Sequence, residues 1–162
     1  MLCTSCSLFD DSHKKEELPP ITQEGRNTFG CLVNGEVWLP KGYNGTSNLD
    51  ASYDPTYKGG ALDVSAYRIT DHVDQFVSFG VANISSTGKF EFSKNTQSPG
   101  AYWDDANTFC SYDDKSNELE GYFIVTRLDL MQAIVSGTFE FTMVKAGCDT
   151  IKVTEGRFDM KF

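Results

Sequence analysis

The sequence predicts an all-β protein, an antiparallel β-sandwich or flattened barrel of about eight to ten strands behind a disordered N-terminal tether. Three observations predict it. From Phe29 onward, runs of apolar and β-branched residues alternate with turn residues, and no stretch carries a convincing helical period. Aromatic residues make up 13% of the chain, twelve Phe and seven Tyr among them, a composition that suits pleated surfaces better than helices. Asn34-Gly35 stands between two β-rich runs, the strongest short hairpin signal available.

The first element is that hairpin, "FGCLVNGEVWLP". A two-residue turn pairs Val33 with Glu36, Leu32 with Val37, and Cys31 with Trp38. One face then carries Phe29, Cys31, Val33 and Trp38, and the other Leu32, Val37 and Leu39, so the hairpin should be covered on both sides. Residues 41–60 read as a long loop rich in Gly, Asn and Tyr. Strands are expected over 61–68, 74–84 and 89–93, the last two joined by the turn "SSTG". A second loop, "SKNTQSPGAYWDDAN", leads to a short strand at 107–112, and the acidic turn "DDKSNELEG" introduces "YFIVTRLDL".

The C-terminal third is the clearest. "AIVSGTFEFTMV" alternates with Val135, Phe139, Phe141 and Met143 on one face, and Glu140 and Thr142 on the other. In "TIKVTEGRFDMKF", Ile151 and Val153 share one parity while Phe158, Met160 and Phe162 share the opposite one. A β-bulge at Glu155-Gly156 inserts one residue and returns both sets to a single face. With 121–130, these segments predict a meander of three antiparallel strands.

The domain reading is therefore a remnant of a lipoprotein signal at 1–5, a flexible tether at 6–28 and a single all-β domain at 29–162. A chain of 162 residues buries enough surface to form a core without metal or disulfide. The net charge of −9, with basic residues scattered singly, repels phosphate backbones and argues against nucleic acid as a partner. The sequence has no run of eighteen apolar residues, the length a membrane-spanning helix needs.

Cys3 and Cys6 form C-x-x-C at the extreme start. A redox pair needs a strand before it and a helix after it, and a zinc site needs two further close ligands, whereas the chain has only His13 and His72. "LCTSC" instead resembles a lipobox, with Thr4 and Ser5 as the small residues and Cys6 as the lipidated acceptor. It departs from that pattern at Cys3 and in lacking the basic and apolar segments that normally precede the box. The bland alternative is a disordered cytosolic tail. The polar stretch 7–28 reads as a tether, with a Pro pair at 19–20 and no period.

Chemistry-bearing patterns are sparse. There is no G-x-S-x-G nucleophile elbow. His13 falls in the tether and His72 between Asp71 and Asp74 at a strand entrance, where a turn role suffices. The acidic pairs Asp104–Asp105 and Asp113–Asp114 lack the spacing of a calcium loop, and glycosidase work would require them to face across a cleft. No catalytic residue, metal site or cofactor is expected. Cys31, Cys110 and Cys148 leave three pairings open, with an odd thiol over. Trp38, Tyr43, Tyr53, Tyr57, Tyr102 and Trp103 lie in or beside the two longest loops. They either bind a ligand by stacking or fold back to cap the ends of the sandwich.

Two blocks, "NTFGCLVNGEVWLP" near the start and "VSGTFEFT" with "KVTEGRFDMKF" near the end, resemble a family of uncharacterised Bacteroidetes lipoproteins. The resemblance implies a lipidated cell-envelope protein with an all-β domain and no catalytic residues to carry over, and the outer membrane is its expected location. Asp10–Asp11 after Cys6 resembles the surface-export signal of such lipoproteins, and Asp149-Thr150-Ile151 an O-glycosylation acceptor of exported proteins. The expectation is a non-enzymatic envelope lipoprotein, anchored in the membrane by its lipid, whose domain binds a glycan or a partner protein. The alternatives are an accessory subunit docking on another envelope protein, and an enzyme with an acidic site.

Overall fold

The computed structural model describes residues 16–43, 45–70, 74–92, 101–104, 110–112 and 118–162. Among the described residues, ten strands form two antiparallel sheets: β1 (Thr28–Val33), β2 (Glu36–Trp38), β3 (Leu49–Asp54), β4 (Ala61–Ile69), β5 (Asp74–Ala82), β6 (Gly88–Phe92), β7 (Ala101–Asp104), β8 (Glu118–Asp129), β9 (Ile134–Val144) and β10 (Ile151–Lys161). The six-stranded sheet runs β2-β1-β10-β9-β8-β6 and the four-stranded sheet β3-β4-β5-β7. The sheets pack face to face as an open sandwich, so the barrel alternative falls away.

The first hairpin has the expected register, with Cys31 opposite Trp38, Leu32 opposite Val37 and Val33 opposite Glu36. Asn34 and Gly35 both take positive φ, as a primed turn requires. The bulge in β10 also falls where parity demanded it. Val153 pairs with Phe141 and Gly156 with Phe139, so three residues of β10 span two of β9, and Glu155 adopts φ 51°. Ile151, Val153, Phe158 and Met160 are all buried in consequence. β8 carries a second register shift between Val125 and Arg127, which brings Leu128 to the core side that Phe123 and Val125 already occupy.

The layers meet through aromatic rings. Phe79 of β5 packs on Phe92, Phe123, Phe139 and Phe158 of the opposite sheet, with ring centroids 4.9–6.0 Å apart. Offset and edge-on pairs of this kind add to the gain from apolar burial alone.

Four readings are corrected. The loop expected over 41–60 contains β3, whose sequence LDASYD alternates only weakly but pairs along its whole length with β4. The second long loop contains β7, which supplies the far edge of the same sheet. The last four residues of the expected acidic turn over 113–121 are strand, because β8 begins at Glu118. Of the strand expected at 107–112, residues 107–109 lie outside the described residues, and Tyr112 forms an isolated bridge with Tyr102.

The tether reading also needs correction from Glu16 onward, because residues 16–27 lie along the outer face of the six-stranded sheet. Leu18 and Pro19 sit over Gly30, where a Cβ would meet them both, and Gly25 lies over Ile134. Asp159, which the bulge turns outward, fixes this strap. Its carboxylate is 1% exposed and accepts hydrogen bonds from Thr22 Oγ1 (2.6 Å), Ser136 Oγ (2.7 Å) and the backbone amides of Glu24, Gly25 and Arg26 (2.7–3.3 Å). Burial alone would raise its pKa, but these donors outweigh it and hold the carboxyl well below the usual range.

Three substitutions test this architecture. A methyl group at residue 156 would sit 2.5–2.6 Å from the Phe139 ring, so Gly156→Ala should cost about 1–3 kcal/mol in urea melts. Glu155→Gly relieves a left-handed residue and should leave stability within about 1 kcal/mol. Because the folded-state pKa of Asp159 is depressed, its stabilisation is complete above about pH 4 and is lost as pH falls through the folded value. Asp159→Asn should therefore lose about 2–3 kcal/mol at pH 7 and show a shallower acid dependence in urea melts than the parent protein. Faster tryptic cleavage after Arg26 in that variant would report release of the strap.

Candidate functional site

Two concavities and one exposed sheet face carry most of the surface chemistry. The larger cleft, about 630 Å³, opens beside β2 and the Gln75 end of β5, and its lining includes Glu16, Trp38, Arg68, Gln75 and Tyr102. The polar groups of Trp38, Gln75, Tyr102, Arg68 and Glu16 are committed to partners. Trp38 Nε1 donates to Gln75 Oε1 (2.9 Å), and Gln75 Nε2 donates to Asp104 Oδ2 (2.9 Å). Tyr102 OH donates to the same carboxylate oxygen at 3.4 Å. Arg68 reaches Val37 O and pairs with Glu16 (3.5 Å), which also pairs with Lys41. Burial, reinforced by Asp104, pushes the Tyr102 phenol well above its ordinary pKa, so it stays a neutral donor. Trp38 and Tyr102 are 3% and 6% exposed, which makes them core aromatics with satisfied polar tips.

The second concavity, about 380 Å³, is a trough on the outer face of the four-stranded sheet. Tyr57 and Asp54 stand at one end, and Ala61, Asp63, Gly80 and Ala82 form the floor. Burial first, and the nearby Asp50 second, raise the Asp63 pKa. Asp54 is drawn below the usual range, chiefly by the Thr56 hydroxyl and then by backbone amides. On the same face, Tyr67 of β4 lies opposite Phe76 of β5, with ring centroids 4.8 Å apart.

The six aromatic residues expected to bind together are thus dispersed. Trp38 and Tyr102 belong to the cleft, and Tyr53 and Tyr57 to the trough, where Tyr53 OH is tied to Ile84 O (2.6 Å). Tyr43 is 76% exposed in the loop before β3. Trp103 holds the β7 position opposite Phe76, and its side chain lies outside the described residues. Sequence reasoning missed Tyr67 and Phe76. The available signal was parity, since Leu62, Val64 and Ala66 point inward and Tyr67 falls on the other face.

Cys3, Cys6, His13, His72, Asp105, Asp113 and Asp114 lie outside the described residues. Among the described residues, no group of three His, Cys, Asp or Glu side chains could hold a metal ion, and no helix is long and apolar enough to cross a membrane. Asp149 and Thr150 are exposed in the β9–β10 turn.

The open cysteine question is decided. Cys110 and Cys148 form a disulfide with Cα atoms 5.7 Å apart, and Cys31 is free, fully buried and pushed up to about 12 by desolvation. The bond ties the segment after β7 to the turn between β9 and β10. Lys145 Nζ donates to Ser111 O (2.6 Å) and Tyr112 OH to Asp149 O in the same place. No protein-family model, curated protein or solved structure matches the chain.

The crosslink closes a loop between residues 38 apart in sequence, worth about 4 kcal/mol in the chain-entropy account. Reduction, or joint Cys110→Ala and Cys148→Ala replacement, should lower the urea midpoint correspondingly. Cys31 should react with a thiol reagent only after unfolding, which a native-versus-denatured thiol count measures.

Proposed function

We propose that this chain is a non-enzymatic binding module of a bacterial cell envelope, lipid-anchored through Cys6 at the outer membrane and presenting its β-sandwich to a ligand or partner protein. The observation that carries the reading is the Cys110–Cys148 disulfide. Such crosslinks persist in exported and surface proteins, whereas reducing compartments keep accessible thiols free. The lipobox-like "LCTSC" and the resemblance to Bacteroidetes lipoproteins point the same way. Three of the shifted titrating groups have structural tasks: Asp159 is enclosed by five donors, Cys31 is sealed in the core and Tyr102 is a neutral donor to Asp104.

An accessory subunit docking on another envelope protein is the second reading, and one observation favours it. The β8–β9 turn is braced by Asp129, which caps the amides of Met131 and Gln132, and by Arg127, which bonds Asp129 and Gln132. It holds Leu130 (56% exposed) and Met131 (96% exposed) out to solvent.

Intact mass and membrane fractionation of protein expressed from its native locus should yield a membrane-bound chain that begins at Cys6 with a lipid-sized increment and one free thiol. Cys6→Ala should release it to the soluble fraction. A soluble chain beginning at Met1 with Cys3 and Cys6 both free would overturn the reading.

A further inference from the structure

We infer that the outer face of the four-stranded sheet is a glycan-binding surface, with the Tyr67–Phe76 ring pair as its stacking platform and the trough beside Asp63 as the groove for a neutral or amino-bearing oligosaccharide. The inference rests on the binding-module reading and names its surface and ligand class.

Register assembles this face. Successive outward rows across β3, β4 and β5 are Asp54, Ala61 and Ala82; then Ser52, Asp63 and Gly80; then Asp50, Ser65 and Ser78; then Tyr67 and Phe76 on β4 and β5. From the Ala61 row to the Tyr67 row is roughly 20 Å of strand, room for several sugar units in line. Small residues floor the middle of this track, so a chain can lie close to the backbone. Tyr67 is 37% exposed, and Tyr57, 50% exposed, closes the opposite end. A sugar presents an apolar C–H face that stacks on an aromatic ring, and hydroxyls that need polar partners beside it. Ser52, Ser65, Ser78, Asp50 and Asp63 supply those partners.

Charge and composition select the occupant. Asp50 and Asp63 form no ion pair with any described residue, and the whole chain carries −9, so anionic polymers are repelled. An uncharged sugar is tolerated, and an amino group would be attracted. A protein partner fits less well. Interface cores are depleted in Asp, Ser and Ala, the residues that dominate this face.

The test uses the full chain and a panel of cello-, xylo-, manno-, malto- and chito-hexaoses in calorimetric titrations, with heparin as the anionic control. At least one hexaose should bind while heparin does not. Tyr67→Ala and Phe76→Ala should each weaken binding by about tenfold or more, and Tyr43→Ala should leave it unchanged. Unchanged melting temperatures would separate lost binding from lost fold. Amide shifts confined to residues 50–57, 61–67 and 75–82 on adding sugar locate the site without any variant. Hexaose binding that survives both substitutions but disappears in Arg68→Ala overturns this surface and leaves the binding-module reading intact. Heparin binding overturns the neutral or amino-bearing ligand class, and a folded protein that binds no hexaose and self-associates through Tyr67 overturns the glycan assignment while leaving a protein-binding module.

Discussion

The extra residue at Glu155 in β10 is the constraint on which most of this structure depends. A strand alternates strictly, so without that insertion Phe158 and Met160 would face water and Asp159 would face the core. With it, Val153 and Phe158 share the interior, and the same half-turn of pleat aims Asp159 outward. The strained φ at Glu155 and the bare Cα of Gly156, pressed against Phe139, are the local cost of that arrangement.

What the bulge does inside and outside is coupled. Inside, it delivers Phe158 to the cluster around Phe79, where a single ring from the thin sheet is received by four from the thick one. Outside, it presents a carboxylate that would be untenable if left dry and alone. The strap over 16–27 resolves this by turning three backbone amides and the Thr22 hydroxyl toward it. The strap in turn covers Gly30 and Ile134, so the outer face of the thick sheet is protected near its β1–β10–β9 side. Among the described residues, the outer face of the thin sheet carries no such strap.

The disulfide acts at the other weak point. β7 is a four-residue edge strand, too short to hold itself by ladder hydrogen bonds alone. Tyr102 binds back to Tyr112, and Cys110 is fastened to Cys148 on the β9–β10 turn, so the edge of one sheet is moored to the other.

Much of the fold was legible in the sequence wherever one residue's neighbours fixed its role. The Asn34-Gly35 turn declared the first hairpin, alternation declared β9, and a parity defect in "TIKVTEGRFDMKF" located the bulge to the residue. β3 and β7 were not legible, because LDASYD and AYWD alternate weakly and become strands only through the partner they lie against. The site was less legible still. Loop position grouped six aromatics that the fold then separated, burying Trp38 and Tyr102 and leaving Tyr43 alone in solvent. Tyr67 and Phe76 sit nine residues apart and meet only because β4 and β5 pair in that register. Local pattern therefore determined the class of fold, the first turn and the bulge, since short-range stereochemistry is written residue by residue. Long-range strand pairing and packing decided which cysteines join, where the strap is held and which aromatics share a face, because those depend on residues distant in sequence brought together in the fold.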